Sequence, residues 1–457
     1  MSHAVKLGQF VTALNFEALP ADAIEAAKRH IFDTVGVALM GAREAMPRNA
    51  TAGIAALPGS EGAIPVWGTS TRLSAPYAAL VNGISAHVLD FDDTHTAAIV
   101  HGSAILAPVV FALGQELERN TRDVITAFVA GWEVAARVGI AARGTVQARG
   151  FHTSSIAGVF GAAAAAGKLL NLNESQMVHA IGLAGSQASG INEYQSNGSS
   201  SKMLHIGWAA HSGMVGTYLA RAGMTAPCTI FEGRLGLFAA YGDQSKIDVE
   251  ALSADLGTRW ESTRVSIKPY SCCHLGHAFI DCARALRKQG VKPTNVETVE
   301  CVVPELAVAM VCEPLEFRRK PLSPYAAKFS LPFMVAAALT DEMIGHGTFT
   351  PQNILRQELI DLARRVSYRV ALPDETTFPK YFPGWLRGRT TDGTTFEERQ
   401  NVNRGAPENP LSQGEIEAKF RDNLRNAFSQ SRTDMLVHMF ANFERASLSE
   451  LLSLMGA

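Results

Sequence analysis

Residues 156–167 read IAGVFGAAAAAG, a run dominated by glycine and alanine. Side chains this small let helix backbones come close together, so the run constrains the chain to tightly packed helices. It is too short and too alanine-rich to span a bilayer. The same habit fills the first half of the sequence. Pro20 opens ADAIEAAKRHIFDTVGVALMGA as a first-turn proline, and Ile24, Ala27, Ile31, Val35 and Ala38 form its apolar stripe. Residues 74–89, 101–118, 121–143, 153–171, 173–188 and 202–222 repeat the pattern. Residues 1–262 are therefore expected to form a large all-helical domain.

The periodicity changes after residue 262. TRVSIKPY (263–270) and VETVECVVP (296–304) alternate like strands, with a helix at 277–289 between them. Helices are expected at 324–341 and 351–364, and strands at 366–372, 385–393 and 394–402. Asp392-Gly393 forms the turn between the last two. Residues 263–404 thus read as a smaller α+β domain. The stretch NRGAPENPLSQG marks its end, and helices at 413–428, 431–444 and 447–455 are expected to complete the first domain. The fold class is mainly α with an α+β insert.

Among the 457 residues, 41 are Lys or Arg and 43 are Asp or Glu, and no basic stripe stands out, which argues against nucleic acid as a partner. The amino terminus lacks a signal-peptide core, and no membrane span is expected. Six cysteines without a regular framework suggest reduced thiols and a cytoplasmic location.

Four polar islands interrupt the apolar pattern. The first, VLDFDDTHTAAIVHGS (88–103), holds Asp90, Asp92, Asp93, Thr94, His95 and His101 at a turn between two apolar helices. A buried polar group without a partner costs roughly 2–7 kcal/mol, so such a cluster is either solvated or kept for chemistry. Asp92 and Asp93 are also placed to cap helices. The second, GFHTSS, sets His152 before Thr153, Ser154 and Ser155, which are natural N-caps of the alanine-rich helix. A histidine at that helix end is favoured in its neutral form. The third, YQSNGSSSKMLH, puts Lys202 and His205 on one helical face behind a polar loop, Asn197–Ser201, able to present N–H groups to an anion. The fourth, IKPYSCCHLGH, crowds Lys268, Cys272, Cys273, His274 and His277. Adjacent cysteines do not suit one zinc ion, so anion-binding or proton-transfer roles for Lys268 and His274 are preferred to a metal. No nucleophile elbow, phosphate loop or dinucleotide fingerprint occurs in a suitable context.

In order and separation, the stretches LDFDDTH with His101, GFH, SKMLHIGWAAHSG, FEGRLGL, KPYSCCHLGH and KPLSPYAAKFSLPF resemble the MmgE/PrpD family along essentially the whole chain. That family includes 2-methylcitrate dehydratase, cis-aconitate decarboxylase and iminodisuccinate epimerase. The resemblance implies a helical domain with an α+β lid, a homodimer, and a cofactor-free active site between the domains. By position it implies catalytic roles for Asp90, Thr94, His101, His152, Lys202, Lys268 and His274. Asp93, His95, Ser199, His205, His277 and Tyr325 are the accompanying substrate-binding candidates. Two places depart from the family pattern: His101 is followed by Gly102-Ser103 where many members have Pro-Ser, and Lys202 by Met203-Leu204-His205.

The family's reactions develop negative charge on carbon beside a carboxylate, which calls for fixed cations and hydrogen-bond donors in a water-poor cleft. Lys202 and Lys268 suit the first need, and His101, His152 and His274 suit proton transfer. The expected activity is that of a lyase on a small di- or tricarboxylate, first by dehydration, then by epimerisation or decarboxylation. A metal-dependent lyase and a non-catalytic binding protein on the same fold are the alternatives. The sequence does not say which histidine is the base.

Overall fold

The computed structural model describes every residue except Asn197, Gly198, Asn426 and Ala457. Its chain divides into two compact units. The first comprises Met1–Val88, Asp92–Ser266 and the residues from Ser412 onward; the second comprises Leu89–Phe91 and Ile267–Leu411.

The first unit is built from α1 (His3–Ala13), α2 (Ala21–Gly41), α3 (Ala75–His87), α4 (Ser103–Glu116), α5 (Thr121–Ala142), α6 (Thr153–Leu169), α7 (Glu174–Gln187) and α8 (Ser201–Arg221), with Gln413–Leu424, Gln430–Ala441 and Leu448–Met455 added from the C-terminal stretch. Local chemistry sets the ends of these helices. The Asn120 side chain accepts the Asp123 N–H at the start of α5, and Asn173 with Gln176 forms a capping box at the start of α7. Small residues decide how the helices cross. A Cβ on Gly161 of α6 would stand 2.7 Å from the Gly131 carbonyl oxygen of α5. A Cβ on Gly207 of α8 would stand 2.2 Å from the Leu80 carbonyl oxygen of α3. Only glycine permits these approaches. The second crossing brings the first turns of α8 beside the last turns of α3.

α5 is more apolar than the sequence reading allowed. By length and composition it is able to cross a membrane, but 94% of its apolar window is buried inside the protein. Its two fully buried charged residues find partners inside the protein: Arg137 donates to the Ala254 and Arg259 carbonyls, and Glu133 accepts the N–H groups of Glu261 and Ser262. A short antiparallel pair, β1 (Glu61–Pro65) and β2 (Arg72–Leu73), also belongs to this unit and was not expected.

The second unit is a four-stranded sheet in the order β4-β3-β5-β6: β3 is Val296–Val303, β4 Val366–Val370, β5 Gly384–Thr390 and β6 Thr395–Gln400. β4 runs parallel to β3, and β5 antiparallel. β5 and β6 form the expected hairpin, with Asp392 Oδ1 accepting from Thr390 Oγ1 and the Thr394 N–H, and Gly393 at φ 88°. Helices α9 (His277–Lys288), α10 (Leu331–Thr340) and α11 (Gln357–Ala363) flank it around a core that includes Phe279, Val299, Phe333 and Leu386.

Two expectations need correction. Residues 263–270 form no strand, only an isolated bridge between Ser266 and Thr94. The Ile267 N–H goes instead to the Gly405 carbonyl, and Pro269 has no N–H to offer. The helix expected over 324–341 is two, Pro324–Ala327 and Leu331–Thr340, because Ser330 caps a new start by accepting the Phe333 N–H.

Candidate active site

In the first unit, α3 ends on His87 and the chain re-enters at Asp92. Asp92 Oδ2 lies 2.8 Å from His87 Nδ1 and 3.6 Å from His101 Nδ1, so one carboxylate serves two imidazoles. His101 Nδ1 also lies 2.8 Å from the Asp93 carbonyl oxygen and 3.1 Å from Thr94 Oγ1. Surrounded by acceptors, Nδ1 must carry a proton, which leaves Nε2 as the lone-pair nitrogen when the ring is neutral. The loop between these residues is shaped by two bridges, Thr94 with Ser266 and His95 with Val100. Ile99 is held at φ 57°, a conformation a β-branched residue rarely adopts and one that costs of order 1–3 kcal/mol.

His152 precedes α6. Thr153, Ser154 and Ser155 were expected to cap this helix, but the N-cap position is His152 itself, whose side chain makes no cap bond. Ser154 Oγ instead accepts the His101 N–H and donates to the Ile99 carbonyl. His152 Nδ1 stands 3.3 Å from His205 Nδ1, and its ring centroid is 5.9 Å from that of His87. Tyr194 meets both His152 and His205 edge-on. Burial, reinforced by His87, Lys202 and His205, holds His152 well below the usual imidazole range. Burial, then His87 and Lys202, lowers His205 to about 4. Both rings are therefore neutral at pH 7, and the shared Nδ1–Nδ1 contact needs only one proton. Lys202 is itself buried, near enough for its charge to bias both rings.

Other candidates in this unit have different partners. Asp93 is fully buried; its carboxylate accepts from the Ser103 hydroxyl and, at 3.3 Å, from the Ser103 N–H at the start of α4. The capping role considered for both Asp92 and Asp93 thus falls to Asp93. His95 accepts the Ala98 N–H on Nδ1 and donates from Nε2 to Glu261. Ser199 is exposed and bonds to Ser201. Asn197 and Gly198 of the polar loop lie outside the described residues.

The second unit holds the remaining candidates. Asp90, at φ 53°, places Oδ2 3.3 Å from Lys268 Nζ, which also donates to the Asp90 carbonyl. Lys328 donates to the Leu89 carbonyl and to Ser271 Oγ, and Ser271 donates to the same carbonyl. The Asn403 amide donates to His274 Nε2, so neutral His274 keeps its proton on Nδ1. His277 donates to the Cys272 carbonyl. Tyr325 is half-buried with its ring near Phe329. Burial and the neighbouring Cys273 push the Cys272 thiol well above its ordinary value, which disfavours a thiolate ligand.

Among the described residues, the group best placed to hold a metal ion is not the Cys/His island but His87, Asp92 and His101, whose ligand atoms lie within 4.8 Å of one another. Hydrogen bonds already engage the Nδ1 atoms of both histidines. His87, Lys328, Ser271, Asn403 and Tyr194 escaped the sequence reading. His87 had a signal, since it stands one residue before the first island. Lys328, inside KPLSPYAAKF, had none beyond its charge.

Comparison with known proteins covers nearly the whole chain. Cis-aconitate decarboxylase of Aspergillus terreus is 28% identical over 96% of this chain and 92% of its own length. The Mus musculus enzyme of the same name is 29% identical over 92% and 86%, and the Homo sapiens one 28% over 92% and 87%. Residues 5–250 match the MmgE/PrpD N-terminal domain and residues 270–445 the MmgE/PrpD C-terminal domain, and the chain therefore belongs to the MmgE/PrpD family.

Proposed function

We propose that this protein is a lyase acting on a small di- or tricarboxylate, with decarboxylation of a cis-aconitate-like acid as the first reaction to test. The observation that carries this reading is the histidine cluster in which His87 and His101 share Asp92 and His87 packs beside the His152–His205 pair, with buried Lys202 near it. Decarboxylation breaks a C–C bond, releases carbon dioxide and leaves an electron pair on carbon that must be stabilised and then protonated. Lys202 supplies the fixed positive charge that a substrate carboxylate requires, in a buried setting where such charge is worth more than in water. Neutral His152 and His205 add donors without adding a cation. His101 is the proton carrier: its Nδ1 side is fixed by acceptors, which aims Nε2 at the reacting carbon. With Nε2 bare at rest, the ring first takes a proton from solvent; Asp92 charge-stabilises that imidazolium, which gives its Nε2 proton to carbon and returns to neutral as carbon dioxide leaves.

The names of the similar proteins move decarboxylation ahead of the dehydration favoured from sequence. Dehydration of a hydroxy-tricarboxylate is the second reading, since the same imidazole is able to protonate a leaving hydroxyl. Lys268 and His274 of the second unit are carried as independent candidates. The chain is also proposed to act as a homodimer, for which Leu204, Trp208 and Leu219 offer an exposed apolar stripe on α8; sedimentation at micromolar concentration tests that. The activity is tested by incubating the protein with citrate-, aconitate- and aspartate-like acids in deuterated water and following proton NMR. Loss of a carboxyl group with deuterium placed on carbon is the expected result. A new alkene without carbon dioxide would favour dehydration, and no turnover of any polycarboxylate would overturn the lyase reading.

A further inference from the structure

The 94–101 loop carries Thr94, His95 and His101, and its two ends are tied together by side chains. Asp93 stands before it and Ser103 after it. The Asp93 carboxylate accepts the Ser103 hydroxyl and the Ser103 N–H. Trp132 of α5 donates from Nε1 to the same hydroxyl at 3.1 Å. On its other side, Asp93 Oδ2 lies 2.8 Å from His30 Nδ1 of α2, off the line of a hydrogen bond. One turn along α2, Asp33 Oδ1 pairs with Lys419 Nζ at 2.7 Å. These groups bury charge at considerable expense. None of them contributes to the histidine cluster through its side chain. What they hold in place is the peptide of residue 93, whose carbonyl oxygen accepts from His101 Nδ1 at 2.8 Å.

We infer that Asp93, clamped by Ser103 and in close contact with His30, is a positioning residue that sets the tautomer of His101: by fixing its own carbonyl against Nδ1 it keeps the proton there and leaves Nε2 to work. This reassigns Asp93 from the substrate-binding role first considered for it. The inference rests on the reading of His101 as proton carrier, yet it makes a claim about the resting protein that needs no substrate. A loop with a β-branched residue at φ 57° does not hold one ring orientation unaided, and a 2.8 Å contact to a backbone carbonyl is only as fixed as the peptide that bears it. The clamp joins residues 93 and 103 directly, so it closes the loop on both sides of His101.

The test is nitrogen-15 NMR of the full chain labelled in its histidine rings, with the His101 signals assigned by their absence in His101→Gln. The parent is expected to show His101 with Nδ1 protonated and Nε2 bare at pH 8. Asp93→Ala is expected to move His101 to a mixture of tautomers, and Asp93→Asn, which keeps an oxygen for the Ser103 N–H, to restore the parent pattern. Ser103→Ala removes one arm of the clamp and is the milder variant to use if Asp93→Ala does not fold. On turnover, Ser103→Ala should lower kcat by about tenfold or more with KM little changed, as outer-sphere losses commonly do. A parent His101 protonated on Nε2, or a folded Asp93→Ala (or, failing that, Ser103→Ala) with the parent tautomer, would overturn the inference. A shifted tautomer in a protein that turns over no polycarboxylate would uphold the clamp and reject the lyase reading instead.

Discussion

The stretches at 92–101 and 268–277 look alike in sequence, each a knot of charged groups and imidazoles in apolar surroundings, but they are held differently. In the first unit the histidines face a shared carboxylate and one another: Asp92 serves His87 and His101, and His152 meets His205. In the second unit backbone carbonyls do much of the holding: Lys268 donates to that of Asp90, Lys328 and Ser271 to that of Leu89, and His277 to that of Cys272. An imidazole bound to a carboxylate or another imidazole changes its charge when a proton moves. A lysine bound to a carbonyl has no such freedom, and the Asp90 carboxylate beside Lys268 adds a charge partner that holds the ammonium in place. The first knot suits proton transfer, and the second suits fixed placement of charge.

Substitutions can break that comparison. The largest effect on turnover is expected from His101→Gln, which removes the proposed proton carrier and should lower kcat/KM by about 10²–10⁴-fold with little loss of stability. Lys202→Met should follow at about 10²–10³-fold. Lys268→Met is expected to show the opposite balance in stability, because it removes a buried cation paired with the Asp90 carboxylate and should cost about 3–5 kcal/mol in urea unfolding. Equal stability losses from His101→Gln and Lys268→Met would erase the distinction between the two knots.

Smaller effects sharpen it. Gly102 stands where many family members have proline, and a Cβ there would meet the Trp132 ring at 2.6 Å. Gly102→Ala should therefore destabilise by about 1–3 kcal/mol, and Trp132→Leu should relieve part of that loss in the double variant. The pH dependence has a defined sign. His205 is lowered in the folded state to about 4, so between pH 6.5 and about 4 the unfolded chain binds the proton more readily. Its contribution to stability is present above pH 6.5 and lost as pH falls through that window. His205→Gln should flatten this part of the unfolding curve relative to the parent. Least of all, native-state thiol labelling should modify the exposed Cys228 and spare buried Cys272, whose thiolate is disfavoured.

Much of the helical scaffold was legible because its periodicity is long and its breaks are chemical. The apolar stripe of α2 marks its element within a residue or two. What failed was local pattern overruled by distant partners. VSIK alternates like a strand, yet Ser266 and Ile267 bond to Thr94 and Gly405 rather than to a neighbouring strand. The candidate site was legible as residue types but not as geometry. Spacing located Asp92 and Asp93 side by side without showing that one would hold histidines and the other a helix start. His87 sits at the end of an apolar helix, and only the close crossing at Gly207 shows that this end faces His152 and His205.

The central claim is that the histidine cluster of the first unit transfers a proton to carbon beside a carboxylate. Its most direct test is proton NMR of cis-aconitate in deuterated water with the parent protein and with His101→Gln. The account predicts carbon dioxide release and one deuterium placed on carbon by the parent, and loss of both in the variant. Undiminished turnover and deuterium incorporation by His101→Gln would contradict it.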